Sequence, residues 1–151
     1  RVRGVGHHWR CDGLGVRDIL WLRQGIEGDD TDNHIDDLAR FTAKDRIIAC
    51  TEKDKSSPNH TILTENFDRL RSFQTPDGKP FELIEIHLPE ACEVAGWRLP
   101  VLPAFRQSRN DDRALGILRE LFPDRTITGI DCLDLVEEGG TLHCISQQQP
   151  A

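Results

Sequence analysis

His34 and Asp36, in the run HID, place an imidazole and a carboxylate two residues apart. In an extended segment the side-chain period is two, so both would project from one face. Such a pair can move a proton and orient a cation together. The same spacing also fits a polar edge strand beside an acidic loop, and alone it assigns no activity. Just upstream, GDDTDNHID gathers Asp29, Asp30, Asp32, His34 and Asp36. Their oxygens and one ring nitrogen could ligate calcium or a transition metal, or form a solvated loop. The EF-hand pattern does not apply, because its fixed Gly and terminal Glu do not fall at the required places.

A third group is the thiol of Cys144, in GGTLHCISQQQPA. Cysteine is usually a small core residue, which is the expectation for the other four, and becomes a nucleophile only where its surroundings favour the thiolate. If TLHCIS is a strand, Leu142, Cys144 and Ser146 share one face, with Thr141, His143 and Ile145 on the other. His143 then points away from its neighbour, and a base for Cys144 must come from elsewhere in the chain, such as His34. His60 and His87 form no comparable pattern and read as surface or strand-face residues, and His7-His8 belong to an N-terminal segment the sequence specifies poorly.

These groups need elements to hold them. DILWL (18–22) reads as a short buried strand, GIEGDDTDN as a loop, and RIIACT as another strand. From about residue 60 to 73, Ile62, Leu63, Phe67 and Leu70 recur at helical spacing. TPDGKP is a turn and FELIEIHL a strand. Next come extended material in WRLPVLPAF, a helix in NDDRALGILRELF, and strands in TITGIDC and TLHCIS. In that second helix Asn110 or Asp111 would cap, and Ala114, Leu115, Leu118, Leu121 and Phe122 form the apolar stripe. The grammar is strand–strand–helix–strand, roughly twice over, so the fold class is α/β (α+β). Between Leu88 and Asp111 a full repeat needs two strands, and Pro100 and Pro103 are poor material for central ones.

Composition bounds the rest. The chain has 151 residues, 37% hydrophobic and 30% charged, which suits one domain over 1–151 with residues 1–14 unassigned. No apolar run approaches the ~20 residues that span a bilayer, so no membrane partner is expected. A net charge of −7 argues against nucleic acid, whose phosphates call for Lys and Arg, and is compatible with a small cationic ligand. Five cysteines, at 11, 50, 92, 132 and 144, are odd in number and lack a CxxC pair. A reducing, cytoplasmic setting is the expectation. RVRGVGHHWR has no apolar core behind it, so it is not a signal peptide. The chain starts at Arg1 and contains no Met, which reads as the downstream part of something longer.

LWLRQGIEGDDTDNHIDDLARF, DDRALGILRELFPDRTITGIDC and GGTLHCISQQQPA, in this order, resemble the agmatine deiminase family, within the bacterial-type peptidyl-arginine deiminases. The resemblance runs from about Gly15 to Ala151. It implies part of a pentein α/β propeller, built of ββαβ units around a pseudo-fivefold axis. It also implies hydrolysis of agmatine to N-carbamoylputrescine and ammonia in polyamine synthesis, without metal or organic cofactor. Deimination of arginine or peptidyl-arginine, or an inactive relic serving as an interaction module, are the alternatives. The resemblance makes Cys144 the nucleophile, His34 the acid and base, and Asp36 the guanidinium-binding carboxylate. Asn33 stands where the family usually has Gly, Thr141-Leu142 where it has Asn-Ile, and Ser146 where it has Thr. RLPVLPAF runs straight on where the family carries a further strand-forming segment with an Asn-Phe-Tyr element, so a strand pair is expected to be missing there. The opening units and a second guanidinium-binding aspartate are expected upstream of this sequence. Exposed strand edges left by a partial propeller would favour self-association into a homo-oligomer.

Overall fold

The computed structural model describes residues 16, 18–27, 34–88, 106–137, 140, 142, 144 and 145, together with the backbone of 92–94 and 97–99. Lys44 and Asp45 turn the chain between β1 (Ala39–Ala43) and β2 (Arg46–Thr51), which pair antiparallel with Ala39 opposite Ala49. β3 (Glu82–His87) pairs parallel to β2, with Ile47 opposite Leu83 and Cys50 opposite Ile86, giving the order β1-β2-β3. A parallel pair needs a crossover, and α1 (Pro58–Ser72) provides it. As the central strand, β2 is covered on both faces: Ile47, Ile48, Ala49 and Cys50 are all buried. Its sequence is therefore an unbroken apolar run rather than an alternating one.

α1 starts at Pro58 because Ser57 and Pro58 together make its cap. The Ser57 hydroxyl accepts from the Asn59 N–H at 3.3 Å, and Pro58 takes a first-turn position where its missing N–H costs nothing. The helix thus begins two residues before the start expected near residue 60. Leu63, Phe67 and Leu70 lie on its buried side. Leu63 joins Ile26, Leu38, Cys50 and Leu88 in one core cluster, while Phe67 and Leu70 join Ile47 and Ala49 in another. The TPDGKP turn forms as expected. Gly78 adopts a positive φ of 82°, its N–H reaches the Thr75 carbonyl, and the Thr75 hydroxyl donates to Asp77.

Three expectations about these segments need correction. Residues 18–22 are not a strand; they run without strand assignment, and Trp21 stays 43% exposed. Residues 34–37 are not extended either. His34 caps a single 3-10 turn, Ile35–Asp37, closed by bonds from the Asp37 and Leu38 N–H groups to the His34 and Ile35 carbonyls. TITGIDC is not a strand, because the Asp131 carboxylate accepts from the Leu133 N–H and starts a short helix, α3 (Leu133–Glu137). The interval from Leu88 to Asp111 also holds an antiparallel pair, β4 (Cys92–Val94) with β5 (Trp97–Leu99). Pro100 and Pro103, where a family segment is expected to be missing, lie outside the described residues.

α2 (Ser108–Leu121) covers the expected second helix, two residues longer at its start. Gln107 is the cap residue but supplies no side-chain cap bond. Instead, the Asp111 carboxylate accepts from the Gln107 N–H at 3.0 Å. Ala114, Leu115, Leu118 and Leu121 form the stripe, all half-buried. Arg106 ties the start of α2 to the start of α3, its Nε 2.6 Å from Asp131 and its Nη2 3.6 Å from Asp134.

Candidate functional site

The 3-10 turn is pinned from below. Leu38, the residue after it, is buried in the first core cluster, and its carbonyl accepts from the Cys50 N–H at 2.8 Å. The turn is therefore attached to the central strand, and His34 and Asp36 project from a fixed base. His34 Nδ1 lies 4.0 Å from Asp36 Oδ1, and Arg40 Nη2 lies 4.0 Å from Asp36 Oδ2. Asp36 is mostly buried, while His34 and Arg40 are about half exposed. The adjacency expected from HID is present, produced by a tight turn rather than by strand alternation.

Cys144 arrives from the far end of the chain. Cys132 and Val136 are buried, with Leu142 packed against them, so this small cluster brings the approach to Cys144 onto α3. The Gly140 N–H reaches the Leu135 carbonyl at 3.3 Å, closing the helix end. Gly140 also sits against the thiol. A methyl group there would meet Cys144 Cβ at 3.1 Å and Sγ at 3.3 Å, closer than ordinary contact. Leu142, Cys144 and Ile145 are in turns, so the strand expected for TLHCIS is not found at its described positions. The alternation argument against His143 falls on residues outside those described. Of the described cysteines, Cys144 is exposed whereas Cys50 and Cys132 are buried. Burial pushes the Cys50 thiol strongly up, with the nearby Asp37 charge adding to it, so that thiol stays protonated and inert.

His34, Asp36 and Cys144 line one cleft of about 1140 Å³. Its other wall is the segment from Asp18 to Gly25, with Trp21 among its residues. Two buried asparagines of α1 hold that segment. Asn59 Oδ1 accepts from the Glu27 N–H at 2.7 Å. Asn66 Oδ1 accepts from the Arg23 N–H at 2.9 Å, and its Nδ2 donates to the Gln24 carbonyl at 2.7 Å. Side chains thus replace the missing strand ladder in satisfying this backbone. Sequence reading passed over both asparagines, although a polar residue at 59 and 66, in step with Leu63 and Leu70, was the available signal. It also passed over Arg40 and Gly140. Asp29, Asp30 and Asp32 lie outside the described residues, and among those described no group of three or more His, Cys, Asp or Glu could hold a metal.

An open cleft lined by an exposed thiol, an imidazole and a carboxylate brings together groups that can attack a carbon, move a proton and hold a cation. The chain belongs to the Porphyromonas-type peptidyl-arginine deiminase family, whose pattern matches residues 10–150. A Legionella pneumophila (strain Paris) protein, provisionally named an agmatine deiminase, is 39% identical over 150 residues, covering 91% of this chain and 43% of the relative. An agmatine deiminase of Medicago truncatula is 31% identical over 171 residues, with 91% and 46% covered. The solved agmatine deiminase of Enterococcus faecalis superposes with a TM-score of 0.82 at 25% identity, over 93% of this chain and 46% of that one. The chain therefore spans less than half the length of these relatives. Among the described residues, no helix is long and apolar enough to cross a membrane.

Proposed function

We propose that this chain carries the nucleophile, the acid–base group and one substrate carboxylate of an agmatine deiminase-like hydrolase. The observation that supports it is the meeting of Cys144, His34 and Asp36 on one cleft, although 108 residues, the difference of 144 and 36, separate the thiol from the carboxylate. A guanidinium is a poor electrophile because its charge is spread over three nitrogens. Catalysis therefore needs an anion to orient it and a strong nucleophile to attack its carbon.

Asp36 accepts N–H bonds from the guanidinium, a geometry that suits a planar, forked cation. The Cys144 thiolate adds to the guanidinium carbon. His34 gives a proton to one amino group, which leaves as ammonia, and an amidino-thioether remains on sulfur. His34, now neutral, takes a proton from water. The hydroxide adds to the same carbon, and collapse expels the thiolate and releases a urea. For agmatine that product is N-carbamoylputrescine. No step requires an electron carrier or a metal. The acidic surface, net charge −7, favours a doubly cationic ligand over a zwitterion such as arginine. The finer fold assignment is proposed alongside: the β1-β2-α1-β3 unit serves as one ββαβ blade of a pentein propeller.

The test reads Cys144 directly. With the purified chain, agmatine should slow alkylation of Cys144, arginine should slow it less, and Asp36→Asn should remove the protection. Full-rate alkylation in saturating agmatine would sink the reading. Ammonia release by the isolated 151-residue chain is expected to be slow or absent, because its cleft is open and it spans under half of its relatives. Any turnover that is seen must disappear in Cys144→Ala.

A further inference from the structure

We infer that Arg40 is a positioning residue of this site, holding Asp36 from behind the cleft so that the carboxylate faces an incoming guanidinium. The inference rests on the reading above, in which Asp36 receives the cation. The two oxygens of Asp36 face different partners: Oδ1 is 4.0 Å from His34 Nδ1, and Oδ2 is 4.0 Å from Arg40 Nη2. His34 and Asp36 line the cleft, whereas Arg40 does not. Arg40 therefore approaches the carboxylate from outside the space a ligand would fill.

The backbone explains why a hold from that side is useful. Asp36 sits on a single 3-10 turn whose cap residue, His34, makes no side-chain cap bond. On so short a turn the charges beside the carboxylate oxygens help to set its orientation. Arg40 stands on the ladder, opposite Ile48 of the central strand, so its Cα is fixed by the most buried part of the sheet. Its planar, permanently charged guanidinium transfers that fixity to Oδ2. Lysine, a flexible point charge, would do so less well.

Positioning and simple electrostatics predict opposite signs. Arg40 is a cation near the cleft, so its field alone repels a cationic ligand, and removing it should strengthen cation delivery. If Arg40 acts by orienting Asp36, removing it should weaken delivery. The measurement compares two alkylating agents of nearly the same shape, cationic 2-chloroacetamidine and neutral 2-chloroacetamide. In each, the Cys144 sulfur bonds to the CH2 carbon and chloride leaves with the C–Cl electron pair. Rates are read on the Cys144 peptide by mass spectrometry of the intact chain, and their ratio is normalised to that of a free cysteine derivative.

The unmodified chain should prefer the amidine. Arg40→Ala should lower that preference about tenfold, the scale of effect expected when a reacting group is misplaced by a fraction of an ångström. Arg40→Lys, which keeps the charge, should fall between the two and serves equally if the alanine variant does not fold. An unchanged or increased preference in both variants would overturn the inference while leaving Asp36 as the cation's partner. No preference in the unmodified chain would instead overturn the guanidinium reading on which the inference rests.

Discussion

The two halves of the site stand on very different foundations. His34 and Asp36 rise from a three-stranded sheet with α1 packed on it, where two core clusters contain nine buried residues. Cys144 hangs from a region whose main helix, α2, buries no residue completely and whose only buried cluster among the described residues is Cys132 with Val136. Apolar burial is the main favourable term in folding. The imidazole and carboxylate therefore sit on a foundation of higher local stability than the thiol. On the proposed reading the reacting atoms must hold their places to a fraction of an ångström, so the weaker half sets the precision of the whole.

The sharpest way to break this comparison is to cut into each half. Leu63 is 1% exposed at the centre of the first cluster, and Leu63→Ala should cost about 2–5 kcal/mol in chemical denaturation. Leu118, half-buried on α2, should cost about 1 kcal/mol or less when changed to alanine, since little of its area leaves water. Equal losses would remove the distinction. Asn66→Ala comes next in size. It leaves the Arg23 N–H and Gln24 carbonyl without their partner, for about 1–3 kcal/mol. It should also raise hydrogen exchange selectively over residues 23–27. Uniform exchange across the chain would show that the asparagine does not hold the cleft wall.

The smallest effect is on pH. His87, at the end of β3, bonds through Nδ1 to the Thr51 hydroxyl at 2.7 Å. Burial holds its pKa below the ordinary 6.5, and the Arg113 and Lys53 charges push it the same way. Above 6.5 the imidazole is neutral in folded and unfolded chains alike. As pH falls below that value the unfolded chain takes up a proton that the folded one resists. The contribution to stability is thus present above 6.5 and lost on descent through the lower folded value. His87→Gln should flatten that part of the stability–pH curve. An unaltered slope from neutral pH down to the carboxylate range would remove His87 from the account. Arg113 belongs to α2, so the same measurement reports how closely the weaker region rests on the sheet.

Much of the strong region was legible in advance, for local reasons. RIIACT is apolar throughout because a central strand is covered twice, and Ile62, Leu63, Phe67 and Leu70 mark a helix by spacing alone. TPDGKP carries its turn in its residue types. The errors cluster where tertiary contacts override propensity. DILWL looks like a strand, yet side-chain amides from α1 hold the segment that follows it. HID looks extended, yet buried Leu38 and the Cys50 amide draw the chain into a turn. TITGIDC has strand-forming residues, but the Asp131 carboxylate captures a backbone N–H and diverts it into α3.

The sequence by itself determined which chemical groups are available, because a thiol, an imidazole and a carboxylate are properties of residues 144, 34 and 36 wherever the chain places them. It also determined the family, since ordered motifs survive changes in packing. Only the tertiary structure decided that these groups share a cleft, that Arg40 stands behind Asp36, and that Gly140 leaves room for the sulfur. Those are relations between residues far apart along the chain or turned toward one another by a local bend. Side-chain period and spacing describe a single element, whereas such relations arise from how buried surfaces bring separate elements together.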